Sequence, residues 1–418
     1  MKKLALIAIA LLLLPSLASA AQSYFDIIGL ETGDSSEAIS TAGTFSVQTS
    51  TVRTGTYALR VNPTTTGTGS YGVTGPLRTT GAIGNNLTNV SATSTFARFY
   101  FRYATKPAAN YEEIAMLTIS GGANQRMGLV LNSSGTISMY GNSTSTEILA
   151  GTTVLAANTW YRIEFDMRTG TTPSFLMKLN GATELSTSSV SLGAGNLGVL
   201  RLGKNFNSNG QTVDFFYDDI AVTDTDFPAD GAVKMLVPNA SGTYQTWTNS
   251  TSTCSHWSCV DEVPPTTTDY MLSTGVVGDA ETEAMQDTAT VGITGTVNAV
   301  KSYANQIRNG AISGSIKLRM RSGATDSDTG SALASGSSVS EMERLYNTDP
   351  NTSAAWTLSG VDSVEVGLVE NATNTTRMHV TYAMVDVLAS TSSPSVASTT
   401  PSLIRRGWSI FKGFLQIK

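Results

Sequence analysis

Residues 160–168 read Trp-Tyr-Arg-Ile-Glu-Phe-Asp-Met-Arg, and this stretch decides the fold class. From Tyr161 onward, apolar and charged side chains alternate. Such alternation is typical of an antiparallel strand with one buried face, because successive side chains point to opposite faces of a sheet. Residues 96–103 alternate in the same way, and residues 175–179 do so just before the turn signal Asn180-Gly181. The sequence therefore predicts sheets.

The second half of the chain repeats this pattern with different residues. Alternating runs occupy residues 316–321, 363–368 and 378–384. Short strands without long helical patterns between them favour two-sheet sandwiches. The fold class that we predict is all-β, with two antiparallel β-sandwich (jelly-roll) domains in tandem. A Pro/Asp/Gly turn cluster at 227–231 separates them. The predicted domains are residues 21–228 and 231–389.

The two ends of the chain predict export and attachment. Residues 1–20 combine a basic start, an apolar run of about 14 residues and small residues at the end, which is the pattern of a signal peptide. A membrane anchor is less favoured, because a span needs roughly 20 apolar residues and Pro15 interrupts this run. We expect a secreted, extracellular or cell-surface protein without a transmembrane span in the mature chain.

The C-terminal end has two parts. Residues 390–402 are rich in Ser, Thr and Pro and predict a linker. Residues 403–418 form a basic, apolar tail with helical spacing of its apolar side chains. Such a tail can contact a membrane surface or a partner protein. Its glycines weaken a helix, so a strand-like terminus is an equal alternative.

Charge and cysteine content narrow the function classes. The chain has 26 Lys plus Arg against 32 Asp plus Glu, a net charge of -6, which argues against a nucleic-acid partner.

Cys254 and Cys259 are the two cysteines, and export predicts a disulfide between them. The alternative is a metal site, which needs two further soft ligands, and His256 is the one nearby.

The first half resembles a concanavalin A-like, laminin G-type jelly roll over about residues 21–226. The stretches that carry the resemblance are Asn158–Phe165, Lys178–Gly181, Leu200–Gly203 and Tyr217–Ile220 in the closing half, and Gly29–Gly33 and Gly55–Arg60 in the opening half. The resemblance implies a sandwich fold of a kind that serves lectins, glycosidases and adhesion modules. It therefore indicates the fold more closely than the function.

The second half resembles a module of phage tail and tail-fibre-like proteins. The stretches concerned are Tyr244–Trp247, Val260–Pro265, Asp269–Tyr270, Thr348–Pro350 and Ala355–Thr357. This resemblance implies a structural role and no catalytic residues. It covers about residues 231–389.

Four residues of the first half are predicted to bind a ligand. Arg98, Tyr100 and Arg102 share one face of a strand, and Trp160 begins another strand. Aromatic faces beside hydrogen-bonding groups are what a glycan site requires. We therefore expect a recognition protein that binds a glycan or cell-surface polymer through its first sandwich. The alternative is a structural or adhesive protein without a small ligand.

Catalysis is the less favoured hypothesis at this stage. Some glycosidases on this type of sandwich use a Glu-x-Asp-x-x-Glu strand, and Glu164-Phe-Asp166 matches its first two carboxylates. The third position is Thr169, so the general acid/base is missing. The sequence thus predicts that the chain is not an enzyme.

A structural calcium ion is the predicted cofactor, although none is required by the sequence. Glu31 lies near the beginning of the first domain, and Asp218 and Asp219 lie near its end. The terminal strands of a jelly roll commonly lie side by side, so these carboxylates can meet around a cation that prefers six to eight oxygens. Because neighbouring residues of a strand face opposite sides, we expect one of the two aspartates to face Glu31.

Overall fold

The structure is a computed structural model. It describes residues 22–37, 40–64, 69–73, 94–119, 125–141, 146–169, 173–190, 197–204, 210–250, 253–311, 314–329 and 332–388. The predicted signal peptide, linker and C-terminal tail lie outside these residues. Within them the chain is almost entirely antiparallel β structure, which confirms the predicted fold class. No helix in this part of the chain has the length and apolar character needed to cross a membrane.

The first sandwich consists of two antiparallel sheets. Its strands are β1 (Tyr24–Ile28), β2 (Ser40–Gly43), β3 (Phe45–Gln48), β4 (Ala58–Val61), β5 (Gly69–Val73), β6 (Ser94–Thr105), β7 (Tyr111–Ile119), β8 (Gln125–Asn132), β9 (Ile137–Gly141), β10 (Glu147–Ala150), β11 (Tyr161–Arg168), β12 (Ser174–Leu179), β13 (Ala182–Thr187), β14 (Leu197–Lys204) and β15 (Asp214–Thr223). One sheet has the order β13-β12-β11-β6-β15-β4-β3, with β1 also paired to β15. The other has the order β10-β9-β8-β7-β14-β5-β2.

The alternation seen in the sequence builds the core of this sandwich. Strand β11 pairs with β6 so that Ile163 lies opposite Phe99 and Phe165 opposite Ala97, and all four side chains are fully buried. Leu117 and other apolar side chains of the second sheet complete the same cluster. Burying a large apolar side chain stabilises the fold by about 1.5–3 kcal/mol. The apolar faces of the two sheets therefore determine how they pack.

The second sandwich also has two antiparallel sheets. Its elements are β16 (Gly231–Leu236), β17 (Pro238–Gln245), β18 (Thr248–Asn249), β19 (Met271–Leu272), β20 (Ala280–Met285), β21 (Val297–Arg308), β22 (Ser315–Ser322), β23 (Thr325–Asp328), β24 (Leu333–Ala334), β25 (Ser340–Tyr346), β26 (Val364–Glu370) and β27 (Thr376–Leu388), with a 3-10 turn at Trp257–Cys259 and a short helix α1 (Leu358–Val361). One sheet has the order β18-β19-β27-β21-β25, with β16 beside β27. The other has the order β17-β20-β26-β22-β23, with β24 beside β22.

The two sandwiches share a buried junction. Tyr24 and Ile27 of β1 join a separate apolar cluster that includes Tyr303 of β21 and Tyr382 of β27. The rings of Tyr303 and Tyr382 stack with centroids 5.6 Å apart. Lys301 contributes a buried polar contact, since its Nζ donates to Asp26 Oδ1 at 3.1 Å. The segment at residues 227–231 thus connects two sandwiches that bury surface against each other. The domain limits at residues 228 and 231 stay a prediction.

Candidate functional site

Glu31 is held by a loop that precedes β4. The backbone N–H of Thr56 donates to Glu31 Oε2 at 2.9 Å, and the side chain of Glu31 is nearly buried. Gly55 passes directly over the carboxylate with a φ of 70°. A Cβ atom at this position would come within 2.0 Å of Glu31 Oε1. The loop therefore depends on a glycine both for its backbone conformation and for space.

Asp218 and Asp219 contact the same loop. Asp218 Oδ2 accepts from the Arg53 backbone N–H at 2.8 Å, and Asp219 Oδ2 accepts from the Arg53 guanidinium at 2.6 Å. The expectation that the two aspartates serve opposite sides of the strand is wrong. Strand β15 has a bulge between Asp218 and Ala221, and Asp219 adopts a φ of 48°, so the alternation is interrupted.

Negative charge accumulates where Glu31, Asp218 and Asp219 contact the loop at residues 53–56. Burial raises the pKa of Glu31 to about 7; the backbone N–H groups of Thr56 and Tyr57 oppose this shift, and Glu37 and Asp219 add to it. Burial and then the neighbouring Asp219 raise the pKa of Asp218 well above its usual range.

Arg53 compensates Asp219 by an ion pair, which leaves Glu31 and Asp218 with backbone N–H donors. Two such carboxylates suit a hard cation that takes oxygen ligands. Among the described residues these carboxylates do not form a group of three with ligand atoms within 4.8 Å of one another, so the calcium ion stays a prediction, with Glu31 and Asp218 as its ligands and Asp219 bound instead to Arg53.

The four predicted ligand-binding residues separate into two pairs. Arg98 is fully buried at the junction, where its guanidinium pairs with Asp386 at 2.6 Å. Tyr100 is almost buried as well; its hydroxyl donates to Asp230, and the Arg53 guanidinium lies 3.3 Å from the centre of its ring. These positions do not offer the open surface that the prediction assumed for them. The segment after β15 and the second sandwich occupy this part of the sheet.

Arg102 and Trp160 lie together at the end of the same sheet. Tyr161 pairs with Phe101, and continuing this register places Trp160 opposite Arg102. Both side chains are half-buried. The Arg102 Nη2 donates to the exposed Asn158 Oδ1 at 2.7 Å, and the guanidinium lies 5.1 Å from the Phe216 ring centre. The structure thus joins Asn158 to Arg102, and it places Trp160 directly before the strand that pairs with β6.

A cavity of about 470 Å³ is lined by Tyr103 and Ala157, the chain neighbours of Arg102 and Asn158. The backbone N–H of Asn158 donates to the Tyr103 carbonyl at 2.8 Å, which links the group to the wall of the cavity. Lys106 lies in the wall, and its ammonium group donates to the Ser133 carbonyl. The residues that line the cavity are Tyr103, Ala104, Thr105, Lys106, Pro107, Ala108, Ser133 and Ala157.

Sequence reasoning missed Lys106, Ser133 and Asn158. The turn signals Lys106-Pro107 and Ser133-Ser134-Gly135 mark loop positions, and Asn158 has a φ of 60° that suits a turn. These signals predict loops, but they do not predict that the loops meet.

The two carboxylates of the glycosidase hypothesis are both paired with arginines. Arg162 Nε lies 2.9 Å from Glu164 Oε2, and Arg168 Nε lies 2.9 Å from Asp166 Oδ2. Each pair is formed within strand β11 itself, between side chains two residues apart. Glu164 and Asp166 therefore serve as partners of strand arginines in this structure.

Cys254 and Cys259 form the predicted disulfide. It closes a loop that contains the 3-10 turn Trp257–Cys259, and the Cys259 side chain is buried in the core of the second sandwich. Within the described parts of the chain there is no free cysteine. The disulfide therefore anchors one end of this loop to the core.

Comparison with known proteins gives neighbours in structure alone. No protein-family model matches the sequence, and no curated protein matches it either. An endo-β-1,4-glucuronan lyase from the fungus Trichoderma reesei is 16% identical, with 49% of this chain and 96% of that chain covered and a TM-score of 0.37. A carbohydrate esterase from Shiga toxin-encoding bacteriophage phi24B is 14% identical, with 49% and 100% covered and a TM-score of 0.35. An alginate lyase is 10% identical, with 50% and 100% covered and a TM-score of 0.31.

These neighbours are carbohydrate-active proteins, and they correct one prediction. The prediction that the chain is not an enzyme is contradicted, because a glucuronan lyase, an alginate lyase and a carbohydrate esterase are among these neighbours. The comparisons confirm neither a lectin nor a phage tail identity.

Proposed function

We propose that the first sandwich binds an acidic glycan at the end where Arg102, Asn158 and Trp160 meet the cavity. The observation that carries the proposal is the Arg102–Asn158 hydrogen bond, whose chain neighbours Tyr103 and Ala157 line a cavity of about 470 Å³. This volume lies within the range of sites for small ligands. The protein is proposed to act outside the cytoplasm on such a polymer, as the predicted signal peptide suggests.

The chemistry of the three side chains supports a sugar ligand. Trp160 supplies an aromatic face, and Asn158 supplies an exposed amide that can both donate and accept hydrogen bonds. The hydrogen bond that Arg102 makes to Asn158 uses Nη2, and a guanidinium carries five N–H donors in all. Sugar hydroxyl groups match such a set of planar polar groups beside an aromatic ring.

The charge of the site favours acidic sugars. Arg102 and Lys106 bring two positive charges to this end of a chain whose net charge is -6. Arginine binds a carboxylate through two parallel N–H donors, which makes a uronate group a suitable ligand. The proposed ligand class is therefore a polysaccharide that contains uronic acids.

Affinity electrophoresis of the full mature chain tests the proposal. Gels that contain polygalacturonate should retard the protein, whereas gels that contain dextran, a neutral polymer, should not. We expect Arg102→Gln and Trp160→Ala each to weaken retardation about tenfold, which corresponds to about 1.4 kcal/mol. Lys317→Gln removes one positive charge from the second sandwich and should leave retardation unchanged.

Two outcomes decide against the proposal. Equal retardation of the wild type and the Arg102→Gln variant would place the ligand elsewhere, and no retardation by either polymer would favour a structural or adhesive role. Mass spectrometry of the polymer after incubation measures in parallel whether the chain cleaves the glycan it binds.

A further inference from the structure

Three ionisable side chains meet inside the second sandwich, beside the disulfide loop. Glu281 and Glu283 stand two residues apart on β20 and therefore share one face. Their strand partners Leu368 and Val366 belong to the core, so both carboxylates point between the two sheets. His256 enters from the loop that Cys254 and Cys259 close. One ligand atom of each of the three side chains lies within 4.8 Å of the others.

The hydrogen bonds at this cluster leave one carboxylate without a partner. His256 Nδ1 lies 2.5 Å from Glu281 Oε1, and the Trp247 backbone N–H donates to Glu281 Oε2 at 3.0 Å. Glu283 is fully buried, and neither of its oxygens has a hydrogen-bond partner within the described parts of the chain. A buried carboxylate whose oxygens lack close hydrogen bonds is costly, because it has lost its water of hydration. Glu283 therefore indicates that a ligand belongs at this position.

Electrostatics agree with this geometry. Burial and the neighbouring Glu281 raise the pKa of Glu283 to about 10, while the Gln245 side chain and the Gly242 backbone oppose the shift. Burial also raises the pKa of Glu281, and the hydrogen bond from His256 opposes that shift. A divalent cation compensates both carboxylates at once.

We propose that His256, Glu281 and Glu283 form a binding site for a first-row divalent cation of the zinc type. One imidazole nitrogen and two carboxylate oxygens are ligands that Zn²⁺ accepts, whereas Ca²⁺ prefers oxygen alone. Tetrahedral coordination at 2.0–2.1 Å separates the ligand atoms by about 3.3 Å. The three ligand atoms lie within 4.8 Å of one another, and a bound ion would draw them to this spacing.

His256 takes part both in the entry of the cation and in the attachment of the disulfide loop to β20. Its side chain is 28% exposed, whereas the Glu281 side chain is fully buried. The cation enters past the imidazole, and a water molecule can take the fourth position on that side. Once bound, the cation connects the disulfide loop to β20. Cation binding therefore stabilises the loop against local opening.

Calorimetric titration of the full mature chain with Zn²⁺ tests the site. The protein carries no affinity tag and is first dialysed against EDTA and then against buffer without EDTA. We expect one Zn²⁺ per chain. His256→Gln and Glu283→Gln should each weaken binding more than about 100-fold, since even a change outside the ligand set costs 10–100-fold.

Two matched variants keep the result interpretable. Glu365→Gln changes a carboxylate of the neighbouring strand β26 that contacts Thr243 and Thr282. Glu184→Gln removes a carboxylate of the first sandwich that accepts from Thr153. Both variants should bind Zn²⁺ as the wild type does, and all variants should keep the near-UV circular dichroism of the wild type without metal. Absence of Zn²⁺ binding, binding that survives His256→Gln, or binding lost in Glu184→Gln would each overturn the proposal.

Discussion

Arg98 and Asp386 form an ion pair at 2.6 Å with both side chains fully buried, although 288 residues separate them in the chain. Arg98 lies on β6 of the first sandwich and Asp386 on β27 of the second. The Arg98 guanidinium also donates to the carbonyls of Ala229 and Asp219, and Asn298 donates to the other oxygen of Asp386. The two sandwiches therefore meet through a hydrogen-bonded charge pair as well as through apolar side chains.

Asp386→Ala should strongly destabilise the protein. Removing one partner leaves the Arg98 charge buried and uncompensated, which costs about 3–5 kcal/mol. Urea unfolding followed by tryptophan fluorescence measures the loss. The control is Asp214→Ala, which breaks a pair with Arg60, a side chain that is 39% exposed. That control should cost less than about 1 kcal/mol.

The double variant Arg98→Met with Asp386→Leu extends this prediction. Replacing a buried ion pair by apolar side chains of similar size is often neutral, so most of the lost stability should return. If Asp386→Ala and Asp214→Ala lower the free energy of unfolding by equally small amounts, the junction does not depend on the Arg98–Asp386 ion pair.

The free energy of unfolding should decrease with pH because of Glu31. Its pKa is raised to about 7 in the folded chain, so the folded state binds more protons than the unfolded state between about pH 4.3 and pH 7. The contribution of Glu31 is complete below this window and is lost as pH rises through it, with a slope of up to about 1.4 kcal/mol per pH unit. Glu31→Gln should flatten the curve between pH 5 and pH 7, measured by urea unfolding in calcium-free buffer. An unchanged slope in this variant contradicts the prediction.

Calcium should raise the melting temperature through Glu31 and Asp218. An ion that binds the folded state alone stabilises it by about 2.7 kcal/mol at a hundredfold excess over its Kd. We expect a saturable rise that EDTA reverses and that both Glu31→Gln and Asp218→Asn abolish. The matched control is Glu184→Gln, which changes a carboxylate that holds the loop at Thr153. If differential scanning calorimetry shows no response to millimolar calcium, the calcium proposal is refuted.

Gly55→Ala should cost more stability than Gly292→Ala. Both glycines have a φ of 70°, so the backbone strain of about 1–2 kcal/mol is common to the two variants. A Cβ at Gly55 meets the Glu31 carboxylate, whereas a Cβ at Gly292 has no atom within 4 Å. We expect an additional loss of about 1–3 kcal/mol for Gly55→Ala from this overlap. If urea unfolding shows the same loss of stability for both variants, the loop that contains Gly55 moves away from Glu31 without cost.

The local pattern of the sequence was enough to predict the strands and the disulfide. Residues 160–168 alternate apolar and charged side chains, and β11 occupies Tyr161–Arg168 as this pattern requires. Cys254 and Cys259 pair within one loop. Such features leave a local signal, because alternation follows from the geometry of one strand and the disulfide joins residues that are close in the sequence.

The sites could be predicted in part. Glu31, Asp218 and Asp219 do converge, but a bulge in β15 brings both aspartates to one loop, and alternation cannot anticipate a bulge. Arg102 and Trp160 come together because their strands are paired in register. Loop residues such as Asn158 join them through a contact across 56 residues.

The sequence by itself determined which side chains share a face, and the tertiary structure alone decided what covers that face. Arg98 and Arg102 follow the same alternation on β6, yet Arg98 is buried against Asp386 while Arg102 stays half-buried beside Asn158. Glu281 and Glu283 look like an ordinary polar strand face but point between two sheets toward His256. The physical reason is that alternation follows from backbone geometry within one strand, whereas burial and charge pairing depend on segments that are distant in the chain.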